Sequence, residues 1–256
     1  MKIQTILTPY FLDQELEGLK CLAKEDWLIN QPHDLEGETT LEVMARLHKP
    51  LARLVAETIE KGRIPVSVAG DCCTSIAVLA GLQRATVQPR LIWFDAHGDF
   101  NTWETTPSGF LGGMPLAMIV GRGEQRLVKA VGLQNLAEDR VILTDGRDLD
   151  PGEAISLANS KVLHLRNVEA LLEEALPEGE LYVHFDTDVL DPEAAGAMNY
   201  LAPGGVSVET LEMVFRRLAD SGQTAAVSMS SWNPKLDKDK KSEKVCMQLL
   251  GALTGE

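Results

Sequence analysis

The chain alternates short apolar runs with longer stretches in which apolar residues return at every third or fourth position. The first pattern suits strands buried on both faces, the second helices with one apolar side. Strands are expected at residues 3–8, 64–69, 91–94, 141–143, 161–165, 181–185 and 224–229, the first of them as an opening or edge strand. A helix is expected at 13–24, capped by Asp13 with Leu16, Leu19 and Leu22 on one face. Another runs over 38–61, where Pro50 kinks or splits the pattern. Further helices fall at 75–82, at 116–131 with an interruption at Gly121-Arg122-Gly123, and at 153–159, 168–175, 206–219 (capped by Ser207) and 243–250. Strand and helix alternate throughout, which predicts an α/β fold with three layers, α/β/α, around a mainly parallel sheet. No internal repeat or glycine-serine linker divides the chain, and 256 residues suit a single domain over 1–256. The charged run 235–244 reads as a solvated loop leading into the last helix.

Composition changes this picture by exclusion. A net charge of −14 argues against a nucleic-acid or anionic-membrane partner, either of which calls for a basic patch. No stretch approaches the ~20 apolar residues of a membrane span. The start, MKIQTILTPYFLDQE, lacks a clear small-residue cleavage site and reads as a first strand, not a signal peptide. Cys21, Cys72, Cys73 and Cys246 include no C-x-x-C pair, which agrees with a reducing compartment, so a cytoplasmic protein is expected.

The chemistry gathers in two places. Residues 95–115, DAHGDFNTWETTPSGFLGGMP, follow the strand at 91–94. Asp95, His97 and Asp99 stand at alternate positions, and an extended backbone sends alternate side chains the same way. Carboxylate and imidazole together suit a hard to borderline divalent ion such as manganese. The bland alternative is a solvated acidic loop with a stray histidine. Residues 181–192, LYVHFDTDVLDP, again form an apolar strand ending in acids, Asp186 and Asp188. Alone, that pair is as suited to capping the next turn. Together the two stretches set four carboxylates at neighbouring strand ends, where they repel by several kcal/mol unless cations neutralise them. Two divalent ions cancel that charge. All these residues lie just past a strand's carboxyl end, where the loops of an open α/β sheet share one crevice.

DAHGDFNT followed by FDTDVLDP resembles the ureohydrolase family of arginase, agmatinase and formimidoylglutamase, over most of the chain from the strand before Asp71 to Asn233-Pro234. The resemblance implies an arginase-like fold and a pair of manganese ions that hydrolyse guanidino or formimino groups of a small-molecule substrate. It implies that Asp95 and Asp186 bridge the two metals, that His97 and Asp188 complete one, and that Asp99 serves the other. A bridging water of lowered pKa would be the nucleophile, with a ligand carboxylate among Asp99, Asp186 and Asp188 passing the proton on. Asn101, Thr106 and Ser108 match positions that hold an amino acid's carboxylate, and Asp150 matches one that faces its α-amino group. Hydrogen bonding within the loop is the alternative for Asn101 and the hydroxyls. Family members often form trimers or hexamers, so a homo-oligomer is compatible with the resemblance.

Three positions depart from the arginase pattern. G-G-D-H becomes Ala69-Gly70-Asp71-Cys72, so a thiol stands where a histidine ligand is expected. Cys72 is then either a thiolate ligand or a small buried residue, and Cys73 beside it points into the core. H-G-M-P becomes Gly112-Gly113-Met114-Pro115, losing a histidine that assists proton transfer. E-x-N-P becomes Ser231-Trp232-Asn233-Pro234, losing a glutamate that faces the guanidinium, a charged pair worth about 1.5–3 kcal/mol. GDFNTWETTPSGFLGGM is similar to a branch with the same cysteine and glycine pair, which includes an Nω-hydroxyarginine amidinohydrolase. The expected function is therefore manganese-dependent hydrolysis of a C–N bond in a guanidino or amidino compound such as Nω-hydroxyarginine. The alternatives are a metal-binding or assembly protein with impaired catalysis, and a zinc deacetylase on a related fold, which D-x-H-x-D with D-x-D disfavours. His33 and His48 read as surface residues, His164 as a core histidine. His184, on the strand parity of Asp186, reads as a satisfied core histidine, with a donor role to the ligands as the alternative. Trp103 and Trp232 suit either the pocket mouth or packing.

Overall fold

The computed structural model describes residues 2–35 and 37–255. Its centre is an eight-stranded sheet in which every pairing is parallel. The strands are β1 (Ile3–Thr8), β4 (Leu28–Ile29), β5 (Ile64–Ala69), β6 (Arg90–Asp95), β7 (Val141–Asp145), β8 (Leu163–Leu165), β9 (Leu181–Asp186) and β10 (Thr224–Ser230). Their spatial order is β4-β1-β5-β10-β9-β6-β7-β8. A separate two-residue hairpin pairs β2 (Tyr10–Phe11) with β3 (Gln14–Glu15). The edge beyond β1 is covered by β4, so the opening strand is not itself the edge.

Helices α1 (Thr40–Glu60), α2 (Thr74–Arg84), α3 (Pro115–Ile119) and α4 (Arg126–Val131) belong with one core, and α7 (Val208–Asp220) and α8 (Lys241–Thr254) with the other. The short α5 (Pro151–Ala158) and α6 (Ala170–Glu173) follow β7 and β8. Alternation along the strands divides the two cores: Leu91 and Trp93 face the α1–α4 side, Ile92 and Phe94 the α7–α8 side. The expected α/β/α sandwich is what the chain forms. No helix among the described residues is long and apolar enough to cross a membrane.

Several local expectations are corrected. Residues 13–24 are not an α-helix: β3 is followed by a 3-10 helix, Glu17–Leu22. Leu16, Leu19 and Leu22 recur every three residues, which lines up on a 3-10 helix but drifts on an α-helix. Asp13 caps nothing there and accepts from Thr40 Oγ1 at 3.0 Å. Pro50 does not split α1, because Met44, Leu47, Leu51 and Val55 bury one continuous stripe on both sides of it. His48 is no surface residue. It follows Met44 by four positions, is 1% exposed, and burial holds its imidazole down at about 4. The interruption expected at Gly121-Arg122-Gly123 is present, parting α3 from α4 with both glycines at positive φ.

Candidate metal centre

β6 and β9 are neighbours, and Trp93 is in register with His184, which in turn is in register with Ser228 of β10. Two residues further along, Asp186 is in register with Ser230, and Asp95 ends β6. Because side chains alternate, Trp93, Asp95, His184, Asp186, Ser228 and Ser230 all face the α1–α4 side. Cys72 arrives from the turn between β5 and α2. Asp71 fixes that turn, accepting from Cys73 N at 2.9 Å and from Leu12 N of the hairpin at 2.8 Å. Gly70 is required there, since a Cβ would lie 2.4 Å from the Tyr10 carbonyl oxygen.

Of these, Asp71, Cys72, Asp95 and Asp186 line a cavity of about 560 Å³, with His184 and the serines buried behind its wall. One donor atom from each of Cys72, Asp95, His184 and Asp186 lies within 4.8 Å of the others, and Asp95, His97 and Asp188 form a second such group. Asp95 is common to both. Cys72 Sγ donates to Asp186 Oδ2 at 2.6 Å, and Ser231 Oγ donates to the same oxygen. His97 Nδ1 pairs with Asp188 Oδ2 at 2.9 Å. Backbone amides of His97, Ala96 and Asp188 hold Asp95, Asp188 and Asp186 at 2.7, 3.0 and 2.9 Å, and Trp93 Nε1 donates to Asp95 Oδ2 at 3.0 Å. Asp99 lines the cavity but belongs to neither close group. Its φ is +48°, and its buried Oδ2 has no hydrogen-bond partner.

Burial dominates the electrostatics. It pushes Asp186 up to about 8, helped by the charge of Asp188, and Asp188 up to about 6, helped by Asp95. Burial and the charge of Asp186 raise Asp95; burial with Asp95 and Asp186 raises Asp99 far above the carboxylate range. The Cys72 thiol is likewise pushed up, by burial and then by Asp186. Burial pulls His97 down, but its bonds to Asp188 and Asp95 win and carry it to about 12. A divalent cation would fit this charge. The donor set of thiol, imidazole and carboxylates suits divalent metal, and the unpartnered Asp99 oxygen is a buried acceptor without a donor.

At the other end, Asn101 Nδ2 donates to Asp150 Oδ2 at 2.9 Å, and both line the cavity. Thr106 and Ser108 line it too, each also accepting a backbone amide within the loop, from Gly109 and Phe110. Asp150 caps α5 in a capping box with Glu153. Glu153 is a cavity residue that sequence reasoning passed over as plain helix. Its carboxylate accepts from Phe100 N at 2.7 Å and Asp150 N at 3.1 Å, tying the acidic loop to α5, and burial raises it to about 7. The D-x-x-E spacing was the available signal. Phe11, Phe110 and Tyr200 also line the cavity, with no pattern in the sequence to mark them. Trp103 and Trp232 do not line it: they donate to Glu124 and Asp237. His164 bonds the Asp145 carbonyl at 2.8 Å, away from the site.

A model of the arginase family matches residues 10–255. Over 229 residues the chain is 31% identical to an arginase of Bacillus caldovelox, covering 84% of this chain and 77% of that protein. It is 32% identical over 237 residues to the arginase of Bacillus subtilis strain 168, covering 88% and 79%. A crystal structure of Bacillus subtilis arginase superposes with a TM-score of 0.85 at 27% identity, over 100% of this chain and 99% of that one. In fold alone, the agmatine ureohydrolase of Thermoplasma volcanium is similar at a TM-score of 0.69 and 15% identity, over 99% of this chain and 88% of that one.

Proposed function

Because the chain belongs to the arginase family, hydrolases of C–N bonds in linear amidines, we propose that it acts on an arginine derivative with a weakly basic guanidine, such as Nω-hydroxyarginine. The observation that carries this reading is Asp95's membership of two donor groups on one cavity wall, with a neutral Ser231 beside them. Asp95 and Asp186 would hold two manganese ions between them, His97 and Asp188 completing one position and Cys72 and Asp99 the other. When bound, the ions supply a water that ionises at neutral pH and positive charge against the transition state.

The remaining work falls to the chain's own groups. Asp99 Oδ2, free of other partners, accepts the proton the water gives up and returns it to the leaving nitrogen. Asn101 and Asp150, already bonded to each other, meet the α-carboxylate and α-amino groups, with Thr106 and Ser108 on the carboxylate side. Ser231 has no charge to pair with a guanidinium. Its hydroxyl is spent on Asp186, which favours a substrate whose guanidine is less basic than that of arginine. The chain acts as one domain, in the cytoplasm, on a small molecule. Gly112 favours a second reading, a metal-binding relative without turnover, because no side chain there carries protons.

Manganese-loaded protein, offered arginine, Nω-hydroxyarginine, agmatine and formiminoglutamate, is expected to release hydroxyurea fastest. Faster urea release from arginine would reject the substrate assignment, and metal without turnover on any of them would favour the second reading. Asp186→Asn is expected to abolish metal-dependent turnover; unchanged rates at saturating manganese would exclude its bridging role.

A further inference from the structure

We propose that His184 is a metal ligand, its Nε2 completing with Cys72 a sulfur–nitrogen–oxygen position unlike the oxygen-rich one beside it. The proposal rests on the two-metal reading above. It starts from the register: His184 lies two residues before Asp186 on the same face of β9, fully buried, with its ring 3.8 Å from that of Trp93. Its Nδ1 meets Ser228 Oγ at 2.7 Å, and Ser228 Oγ meets Tyr182 Oη at 2.7 Å. One arrangement of this row, with Nδ1–H donating to Ser228 Oγ and the Ser228 hydroxyl donating to Tyr182 Oη, leaves the Nε2 lone pair free, and it is the tautomer the proposal requires.

His184 lies behind the cavity wall, and its Nε2 approaches the candidate ligands past Ser230. The nearest partner of Nε2 is Ser230 Oγ at a long 3.4 Å, and Ser230 Oγ itself lies 3.1 Å from Cys72 Sγ and 3.4 Å from Asp186 Oδ2. The donor atoms of Cys72, Asp95, His184 and Asp186 all fall within 4.8 Å of one another, so bonds of about 2.0–2.3 Å to one ion require them to close up by about an ångström on binding. A ligand imidazole whose other nitrogen is anchored by a hydrogen bond is the usual arrangement at metal sites. The chain thus carries its imidazole on β9, where the turn after β5 supplies a thiol. Thiolate and imidazole draw softer ions than carboxylates do, so zinc or cobalt would compete here with the manganese of the reading above, while the His97–Asp188 side stays hard.

The test reads the metal's surroundings, not turnover. Full-length His97→Asn protein, stripped with chelator and given one equivalent of Zn²⁺, is examined by X-ray absorption. One sulfur together with imidazole scattering supports the proposal; sulfur without imidazole overturns it. In otherwise wild-type protein, Ser228→Ala removes the anchor of Nδ1, and with it a partner of Tyr182 Oη, and is expected to weaken Zn²⁺ binding about 10–100-fold, leaving Mn²⁺ affinity at the other position unchanged. Unchanged Zn²⁺ affinity counts against His184. If wild-type protein takes up two ions and the sulfur-bound one lacks imidazole, His184 alone is refuted. If it takes up neither Zn²⁺ nor Mn²⁺, the two-metal reading fails as well.

Discussion

At the scale of single residues, Gly112 sits where a side chain meets the aromatic wall. A Cβ on Gly112 would stand 2.4 Å from Cε1 and Cζ of Phe110. That ring is held in place, its centroid 4.8 Å from that of Tyr200 and 6.3 Å from that of Phe11. Gly112 is therefore a steric requirement of the aromatic wall. Gly112→Ala is expected to cost about 1–3 kcal/mol by overpacking. Adding Phe110→Ala should recover part of that loss, the two changes being non-additive because the side chains share one space. Urea unfolding of the two single variants and the double variant measures the coupling; additive losses would show that the ring yields freely. The glycine could be read from the chain as a departure from the family pattern, but Phe110 could not. Its role depends on Tyr200, ninety positions away, and no local spacing encodes that. Cys72 was legible as a ligand candidate for the opposite reason: its place in a short motif names it, and Asp71 fixes the turn locally through the Cys73 amide, the Leu12 amide of the distant hairpin adding to it.

At the scale of elements, capping is where the sequence spoke most directly. Ser207 accepts from Thr210 N at 3.1 Å and starts α7, whose Leu211, Val214, Phe215 and Leu218 fill the core on that side. Ser207→Ala is expected to lower stability by about 1 kcal/mol, with metal uptake untouched, since the cap lies outside the cavity. A thermal melt alongside metal counting checks both halves, and a loss of bound metal would show that α7 bears on the site. Parallel strands were legible because burial on both faces leaves uninterrupted apolar runs. The Asp13 cap misled because a three-residue repeat of leucines fits a 3-10 helix and an α-helix nearly equally over two turns, and only the β2–β3 hairpin decides between them. Pro50 misled for the converse reason: local backbone chemistry argued for a break, and the packing of one long apolar stripe outweighed it. His184 combines both limits. Its parity with Asp186 was visible, but the cross-strand row Trp93–His184–Ser228 that anchors it depends on a strand order no local pattern contains.

For the molecule as a whole, that strand order sets the balance between protons and metal. It sends the ends of β5, β9 and β6 to one crevice and buries their acids together, so the metal-free fold holds protons that the unfolded chain has given up. Asp186 is pushed up to about 8, Glu153 to about 7, and Asp188 and Asp71 to about 6, against about 4 in the unfolded chain. Below pH about 4 these groups are protonated in both states and contribute no slope. Between about 4 and about 8 only the folded state still binds the protons, so they make stability fall as pH rises. His97, raised to about 12, acts in the same direction above about 6.5, where the unfolded histidine has lost its proton. Cations reverse this, because they bind the ionised ligands and are bound more tightly as protons leave. Free metal at a hundred times its dissociation constant adds about 2.7 kcal/mol. The gap in melting temperature between manganese-loaded and chelator-stripped protein is therefore expected to widen from pH 5.5 to pH 8. Measuring the gap cancels the titration of surface groups common to both samples. A gap of constant size across that range would mean that protons and metal do not compete for the same carboxylates, and that the buried acids are held by something other than a cation.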